Sequence, residues 1–470
     1  MTIRIHNTLG KKLEDFIPLN PPKVNIYSCG VTVYDESHIG HARSLYIFDL
    51  IRRYLEFSGF EVRFIRNITD VEDKIINRAN TLGIPASELV DRVIKSYYAD
   101  MDSLGISKAD AEPKATENID GIVAAIAVLI EKGYAYVTKT GVYYNVRTFT
   151  GYGKLSGQSI DDMQSGERID PDDSKKDPLD FALWKVAKPG EPSWPSPWGD
   201  GRPGWHIECT VMSLKYLKTD TLDIHGGGRD LVFPHHENEI AQSEALTGKP
   251  FAKYWIHHGL LTIDGAKMSK SLGNYVTIKA FLERYTHPEI LKVFFLSAHY
   301  SSPVDYNAGK ITEATQALDR IVRLAEKIDL VCPEAFGKPI PAGPRPQELA
   351  GIREKFITAM DDDFNTPQAL AAVFDLVNAA NRNIADREFT AQAGDMLCEL
   401  TRLLGLDIQR LKSIARQAPG QDSVDALVAQ RVEAKKRRDF AEADRIRKEL
   451  EAQGIILEDT RDGTTWRKKL

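Results

Sequence analysis

An α/β fold built on a parallel sheet is what this sequence predicts for its N-terminal half, and three observations carry that prediction. First, Lys23–Ser28 reads as a short strand. It is followed by a helix over Ala42–Phe57, where Leu45, Phe48, Ile51 and Leu55 recur at helical spacing and Gly59 provides a stop. Glu61–Ile68, apolar at Val62, Phe64, Ile65 and Ile68, then reads as a second strand. Strand, helix and strand in succession make a βαβ unit, which requires a parallel pair with a right-handed crossover. Second, the pattern returns at Thr221–His225, with Gly226, Gly227 and Gly228 leading to a helix from about His235 to Leu246. Third, the loop leaving the first strand carries His38-Ile39-Gly40-His41 into the first helix, the place where such folds hold phosphates or ligands.

Between the two halves lies a less regular stretch from Asp110 to Pro203. It offers a helix over Ile119–Lys132, a Tyr-rich hairpin over Tyr134–Tyr144 and an Asp/Lys-rich loop from Asp161 to Asp177. It reads as an insertion. Trp255–Ile263 gives a further strand or hairpin leading into Lys267-Met268-Ser269-Lys270-Ser271. Beyond Tyr300 the pattern turns helical. Thr366 is placed to cap a helix with Pro367 in its first position, and Leu370, Val373, Phe374 and Val377 form one apolar face. Pro333–Pro346 is a Pro/Gly-rich loop, and a last unit runs from about Val424.

At 470 residues the chain is too long for one ordinary core. A 42% hydrophobic and 27% charged composition is that of a globular protein, not a disordered or fibrous one. Its longest near-continuous apolar run, Gly121–Ile130, is too short to span a bilayer, and the N-terminus carries no signal-like stretch. Four cysteines in this length argue against a disulfide framework. A cytoplasmic location without membrane attachment is expected. The net charge of −6 does not advertise nucleic-acid binding, but Arg431–Lys448 holds eight Lys/Arg against four Asp/Glu. That excess can follow a phosphate backbone, or it can be a solvated helix laced with ion pairs.

Three sets of residues carry chemistry. His38 and His41 can donate to phosphate oxygens as charge builds up, and Gly40 between them allows close approach. Lys267 and Lys270, in a loop made pliable by Gly265, Ser269, Ser271 and Gly273, can neutralise a departing pyrophosphate. Cys29, Cys209, His235 and Glu239 are two thiols, an imidazole and a carboxylate, enough for a tetrahedral Zn²⁺ site. His235 and Glu239, four apart, would share a helix face, and His236 is the alternative ligand, about 100° away on such a helix. Cys332 and Cys398 lack such company and read as core cysteines. Pro189–Trp205 concentrates prolines with Trp194, Trp198 and Trp205, either as a pocket wall or, for Trp194 and Trp198, as a packed connection.

Together these segments closely resemble the cysteinyl-tRNA synthetases, a family of class I aminoacyl-tRNA synthetases. The likeness runs through Tyr27–Asp35, His38–His41, Asn67–Lys74, Pro195–Trp198, Gly204–Cys209, Asp223–Gly228, Phe233–Glu239, Lys267–Asn274, Met360–Pro367 and Gly463–Arg467, nearly the whole chain. The resemblance implies a Rossmann-like catalytic domain with a connective insertion, an α-helical tRNA-binding domain and a small anticodon-binding domain. The expected segments are 1–110 and 204–300 for the two catalytic halves, 111–203 for the insertion, 301–420 for the helical domain and 424–470 for the last.

By the same resemblance, Cys29, Cys209, His235 and Glu239 bind one zinc ion that takes the thiolate of the substrate cysteine, although a purely structural zinc is the other reading. His38, Gly40, His41, Gly228, Asp230, Lys267 and Lys270 serve ATP, which arrives with Mg²⁺. Thr69, Trp205 and His225 border the amino-acid pocket. Phe440, Asp444, Arg447 and Trp466 face tRNA, with Phe440 equally placed to be a core residue. The implied reaction is activation of L-cysteine by ATP and its transfer to tRNA(Cys), by a chain acting as a monomer. The rival expectation is the related ligase that joins cysteine to an amino sugar in mycothiol synthesis, which reads no anticodon. A non-catalytic tRNA-binding relative is a further alternative.

Overall fold

The computed structural model describes residues 2–160, 174–269, 272–285, 287–336, 345–410, 421–452, 454–460 and 463–468. Its chain contacts divide it into two compact units. One comprises residues 1–281, 295–307 and 357–369, the other 282–294, 308–356 and 370–470.

At the centre of the first unit is a four-stranded parallel sheet. Its edge is preceded by a small antiparallel pair, β1 (Arg4–Asn7) and β2 (Lys12–Asp15). The sheet contains β3 (Lys23–Ser28) and β4 (Glu61–Arg66), joined through helix α1 (Ile39–Phe57). The predicted helix face, Leu45, Phe48, Ile51 and Leu55, is buried against the strands. Helices α2 (Asp73–Leu82) and α3 (Ala86–Leu104) follow, each closed by a left-handed glycine, Gly83 and Gly105.

The inserted stretch folds as helix α4 (Ile119–Glu131) over an antiparallel sheet of β5 (Ala135–Val137), β6 (Gly141–Tyr144), β7 (Phe181–Val186) and β8 (Gly201–Pro203). Ile122, Ile126, Tyr144 and Trp184 form its core, and Trp194 and Trp198 pack against them, so those two tryptophans belong to a packed connection. Most of the Asp161–Asp177 loop lies outside the described residues.

Helix α5 (Trp205–Leu217) returns the chain to the parallel sheet through β9 (Leu222–Gly228), and α6 (Glu237–Thr247) leads on to β10 (Ala252–His258). The strand order is β10-β9-β3-β4, so the chain order reverses between β3 and β9. In open parallel sheets a crevice opens at that reversal, beyond the carboxyl ends of the two strands. Cys29 and Gly228 stand at those ends. The second strand runs through all three glycines instead of ending at His225, because both faces of β9 are covered and buried.

A hairpin of β11 (Leu261–Ile263) and β12 (Ala266–Lys267) follows, with β13 (Val304–Tyr306) paired parallel to β11. Residues 361–363 also belong to this unit: Tyr54 donates to Asp361 at 2.6 Å, Tyr300 donates to Asp363 at 2.7 Å, and the His6 amide donates to Asp363 at 2.8 Å.

Helices make up most of the second unit: α7 (Ile278–Arg284), α8 (Glu289–Leu296), α9 (Ala308–Val331), α10 (Gln347–Asp361), α11 (Thr366–Arg382) and α12 (Arg387–Leu403), of which α7, α8, α10 and α11 straddle the division. In α11, Thr366 is the first helical residue, and Asn365 does the capping by accepting the Gln368 amide at 3.3 Å. The cap thus lies one residue earlier than the sequence predicts, with Asn as an equally good acceptor. Cys332 is buried and Cys398 half-buried.

The predicted single basic helix is two helices. Helix α13 (Gln421–Lys436) and α14 (Phe440–Ala452) are separated by Arg438 in the left-handed region at φ 64°, with Asp439 capping the second through the Glu442 amide. Val424, Val428, Ile446, Leu450 and Ile455 form their common core beside the hairpin β14 (Ile455–Thr460) and β15 (Gly463–Lys468). No described helix is long and apolar enough to cross a membrane.

Candidate metal centre and nucleotide site

Four donors from three segments converge where β3 ends. Cys29 leaves the strand with its amide on the Gly226 carbonyl at 3.2 Å. The next residue must be glycine, because a Cβ at Gly30 would sit 1.6 Å from the Asn67 carbonyl oxygen. Cys209 comes from the second turn of α5, and His235 and Glu239 from the turn that opens α6. The Cys29 thiol lies 3.8 Å from Cys209 and 3.3 Å from Glu239 Oε1. Cys209 lies 3.6 Å from His235 Nε2, which is 2.8 Å from Glu239 Oε1. All four ligand atoms fall within 4.8 Å of one another.

The donor set suits a borderline-soft dication such as Zn²⁺. A second observation supports the fit. The Tyr27 hydroxyl is fully buried beside both thiols and, among the described residues, has only the Cys209 sulfur to turn to, a role that a metal-held thiolate fills better than a neutral thiol. Charge is already unevenly distributed in the cluster. Burial, then the bond to Cys209, pushes the Cys29 thiol up. Burial also works against ionisation of Cys209, but Cys29 and His235 bring that thiol down to about 6. Burial disfavours the His235 imidazolium, yet Glu239 draws it up to about 10. Glu239 is itself held well below the carboxylate range because His225 and His235 outweigh its burial.

His236 also reaches this cluster, contrary to the 100° separation of a regular helix. Residues 232–236 form a wider turn with Phe233 in extended conformation, and this turns His236 Nε2 to 3.3 Å from the Cys29 thiol. His225, expected near the amino acid, lies 2.7 Å from Glu239 Oε2 and stacks on Trp255. Trp205 stacks on His235 with ring centres 4.0 Å apart. Thr69 donates to buried Glu208 at 3.1 Å and accepts from Asn67 at 3.2 Å. The structure therefore brings Thr69, Trp205 and His225 around the four donors.

At the start of α1, His38 Nδ1 accepts the His41 amide at 3.2 Å, and His41 Nδ1 accepts the His38 amide at 3.4 Å. The rings stack 3.6 Å apart. Burial, helped by His38, holds the His41 imidazolium well below its ordinary range. A neutral ring that accepts at Nδ1 carries its proton on Nε2, so the cap fixes the tautomer and offers an Nε2–H donor. A Cβ at Gly40 would crowd the His38 ring at 2.9 Å and the Met268 methyl at 3.3 Å. Met268 of the second lysine-bearing string thus touches the first.

The chain just beyond Lys267–Asn274 is also bonded to the start of α1 and the loop before it. Ile39 donates to Val276 at 3.1 Å, Ile278 donates to Ser37 at 2.9 Å, and the Tyr275 hydroxyl donates to the Glu36 carbonyl at 3.0 Å. Lys267 is exposed at the end of β12, where Asn274 bonds its carbonyl at 3.2 Å and the Ser269 amide at 2.8 Å. Lys270 lies outside the described residues. Gly228 pairs with His258 at the strand ends, and Asp230 is exposed just beyond.

In α14, Phe440, Asp444 and Arg447 are exposed, and Phe440 at 64% exposure is not a core residue. Trp466 stands opposite Leu457 in the terminal hairpin. Ion pairs of Arg445 with Glu442 and Glu449, and of Arg447 with Glu451, lace the exposed face of this helix.

Sequence reasoning missed Arg43. Fully buried in α1, it donates to the carbonyls of Gly259 at 2.6 Å, Leu260 at 3.0 Å, Tyr300 at 3.2 Å and Ser302 at 2.6 Å. Its position two residues after His41 was the only available signal.

Comparison with known proteins places the chain in a family. The family described as tRNA synthetases class I (C) catalytic domain matches residues 15–316, a DALR domain matches 355–409, and the cysteinyl-tRNA ligase anticodon binding domain matches 420–467. The cysteine–tRNA ligase of Symbiobacterium thermophilum is 49% identical over all of both chains, and that of Geobacter sulfurreducens is 50% identical over the same extent. That of Aquifex aeolicus is 46% identical, over all of this chain and 99% of its own.

Among solved structures, Mycobacterium tuberculosis methionyl-tRNA synthetase with methionyl-adenylate superposes with a TM-score of 0.62 at 15% identity, over 81% of this chain and 90% of that one. A leucyl-tRNA synthetase complex from Agrobacterium radiobacter gives 0.60 at 12% identity, over 83% and 84% of the two chains. At such low identity these two speak for the class I fold alone. The full-length likeness to the ligases is of another order, and by it the chain belongs to the cysteine–tRNA ligase family of class I synthetases.

Proposed function

We propose that this ligase selects L-cysteine by bonding its thiolate to a zinc ion held by Cys29, Cys209, His235 and Glu239. The observation that carries this reading is the convergence of those four buried donors where β3 ends, at the sheet's crevice. Bound there, zinc would lower the pKa of a coordinated thiol and favour sulfur over the hydroxyl of serine. A steric pocket separates near-isosteres poorly, so a sulfur-specific bond supplies discrimination that shape cannot.

The reaction is ATP-dependent formation of cysteinyl-adenylate, followed by transfer to tRNA(Cys). In our reading the cysteine carboxylate attacks the α-phosphate in line, and no side chain acts as nucleophile. Thr69, Trp205 and His225 wall the amino acid. His38 and His41 donate from Nε2 to the phosphate oxygens as charge develops, with Gly40 admitting the nucleotide between them. Gly228 and Asp230 border the ribose. Lys267 and Lys270 neutralise the departing pyrophosphate, which comes with Mg²⁺ on the nucleotide. Phe440 stacks on a tRNA base, while Asp444, Arg447 and Trp466 supply further contacts.

The mycothiol-type ligase is the weaker reading, because residues 420–467 match an anticodon-binding domain that it has no use for. Aminoacylation of unfractionated tRNA with labelled cysteine separates the two. Charging that saturates at the tRNA(Cys) fraction is expected, whereas cysteine-dependent adenylate formation without any charging would favour the rival.

A further inference from the structure

The cluster at the end of β3 contains more donors than one ion needs. Cys29, His225, His236 and Glu239 also place their ligand atoms within 4.8 Å of one another. This set shares Cys29 and Glu239 with the first and exchanges Cys209 and His235 for two other histidines. His225, His236 and Glu239 are completely buried.

The geometry around the second set is that of oriented ligands. His236 Nδ1 lies 2.8 Å from His257 Nε2, and His257 Nδ1 lies 2.9 Å from Thr8 Oγ1. Such a chain fixes the ring and leaves Nε2 aimed at the Cys29 thiol, 3.3 Å away. Metal-binding histidines are held by their far nitrogen in this way. Glu239 is divided between the two sets: Oε1 faces His235 at 2.8 Å, and Oε2 faces His225 at 2.7 Å. A carboxylate so placed can bridge two ions, and a thiolate can do the same. Charge permits it. Two thiolates and one carboxylate hold three negative charges, so one dication leaves a net negative centre and a second leaves it only singly positive.

We propose that Cys29, His225, His236 and Glu239 form a second metal seat, overlapping the first, that takes a divalent zinc-like cation when the metal is in excess. Filling it takes His225 from the wall of the amino-acid pocket and shares Cys29 between two ions, so the second ion competes with cysteine and not with ATP. The proposal rests on the zinc reading given above for the first seat.

The test is titration of the metal-free full chain with Co²⁺, following thiolate-to-cobalt absorbance, with Zn²⁺ competition as a check. The wild-type chain is expected to take up two equivalents, the second at least about ten-fold more weakly. His236→Asn should lose the second equivalent and keep the first. Cys209→Ser, which leaves the second set intact, should keep one. His225→Asn serves in place of His236→Asn if that variant fails to fold. A wild-type chain saturating at one equivalent would overturn the second seat and leave the first standing. So would a second equivalent that survives in both histidine variants, or inhibition by excess zinc relieved by ATP and not by cysteine. No uptake at all would overturn both.

Discussion

Arg43 shows how a single residue can hold a site that it does not line. Its guanidinium, drawn down to about 10 by burial, still carries its charge at neutral pH and satisfies four carbonyls at the ends of neighbouring segments. These carbonyls belong to the turn after β10 and to the loop before β13, so Arg43 ties α1 to the approach of the lysine-bearing hairpin. Arg43→Met keeps the apolar stem but takes the guanidinium from the Gly259 and Ser302 carbonyls, while those of Leu260 and Tyr300 keep the Val304 and Gly259 amides. It should lower unfolding free energy by about 3 kcal/mol, read from the denaturant midpoint, since each buried unsatisfied group costs roughly 1–3 kcal/mol. A change under about 0.5 kcal/mol would show that water replaces the guanidinium without loss.

At this scale the sequence was informative about chemistry and silent about partners. Two thiols, a histidine and a carboxylate with metal-ligand character could be identified as a set, because few other roles suit them together. His236 could be offered only as an alternative to His235, because its reach beside it depends on the wider turn at 232–236 that no local pattern signals.

Among elements, α1 was legible because its apolar residues recur at helical spacing and burial follows that spacing, and its flanking strands were legible as short apolar runs on either side. The C-terminal basic stretch was misread as one helix because its charges continue unbroken across Arg438, where the backbone reverses. A charge run has no periodicity with which to mark a turn.

Helix α3 offers a test at this scale. Asp100 is pushed up to about 6 by burial and by the charge of Glu36, against the pull of Lys279 at the start of α7. An acid whose folded pKa is raised adds stability below its unfolded value, and that contribution is lost as pH rises through about 6. At neutral pH the ionised carboxylate is therefore a burden. Asp100→Asn should be more stable than wild type by about 1 kcal/mol at pH 7.5, discounted for partial exposure, with the difference falling to about a third of that near pH 4.5. Denaturation midpoints at the two pH values measure it, and a pH-independent difference would remove the electrostatic explanation.

For the molecule as a whole, function follows from where the sheet reverses its order. β3 and β9 end side by side, and Cys29, His38, His41, Cys209, His235 and Glu239 lie on segments leaving a strand end or on helices that follow one. The βαβ order was readable from sequence, but the adjacency of β3 and β9 was not, since nearly two hundred residues, insertion included, separate them. The links from Asp361, Asp362 and Asp363 to Tyr54, Arg4 and Tyr300 escaped for the same reason: their partners lie far along the chain. In the proposed reading both His38–His41 and Lys267–Ser271 serve the nucleotide, whereas the choice of amino acid is assigned to the four metal donors.

That assignment is tested most directly by amino-acid-dependent exchange of pyrophosphate into ATP, with cysteine and serine compared before and after removal of the metal. The account predicts a preference for cysteine of about 10⁴-fold or more, beyond what pocket shape alone achieves. It also predicts that this preference is lost on chelation and restored by zinc. Exchange driven equally by serine, or a preference for cysteine that survives in the metal-free protein, would contradict it.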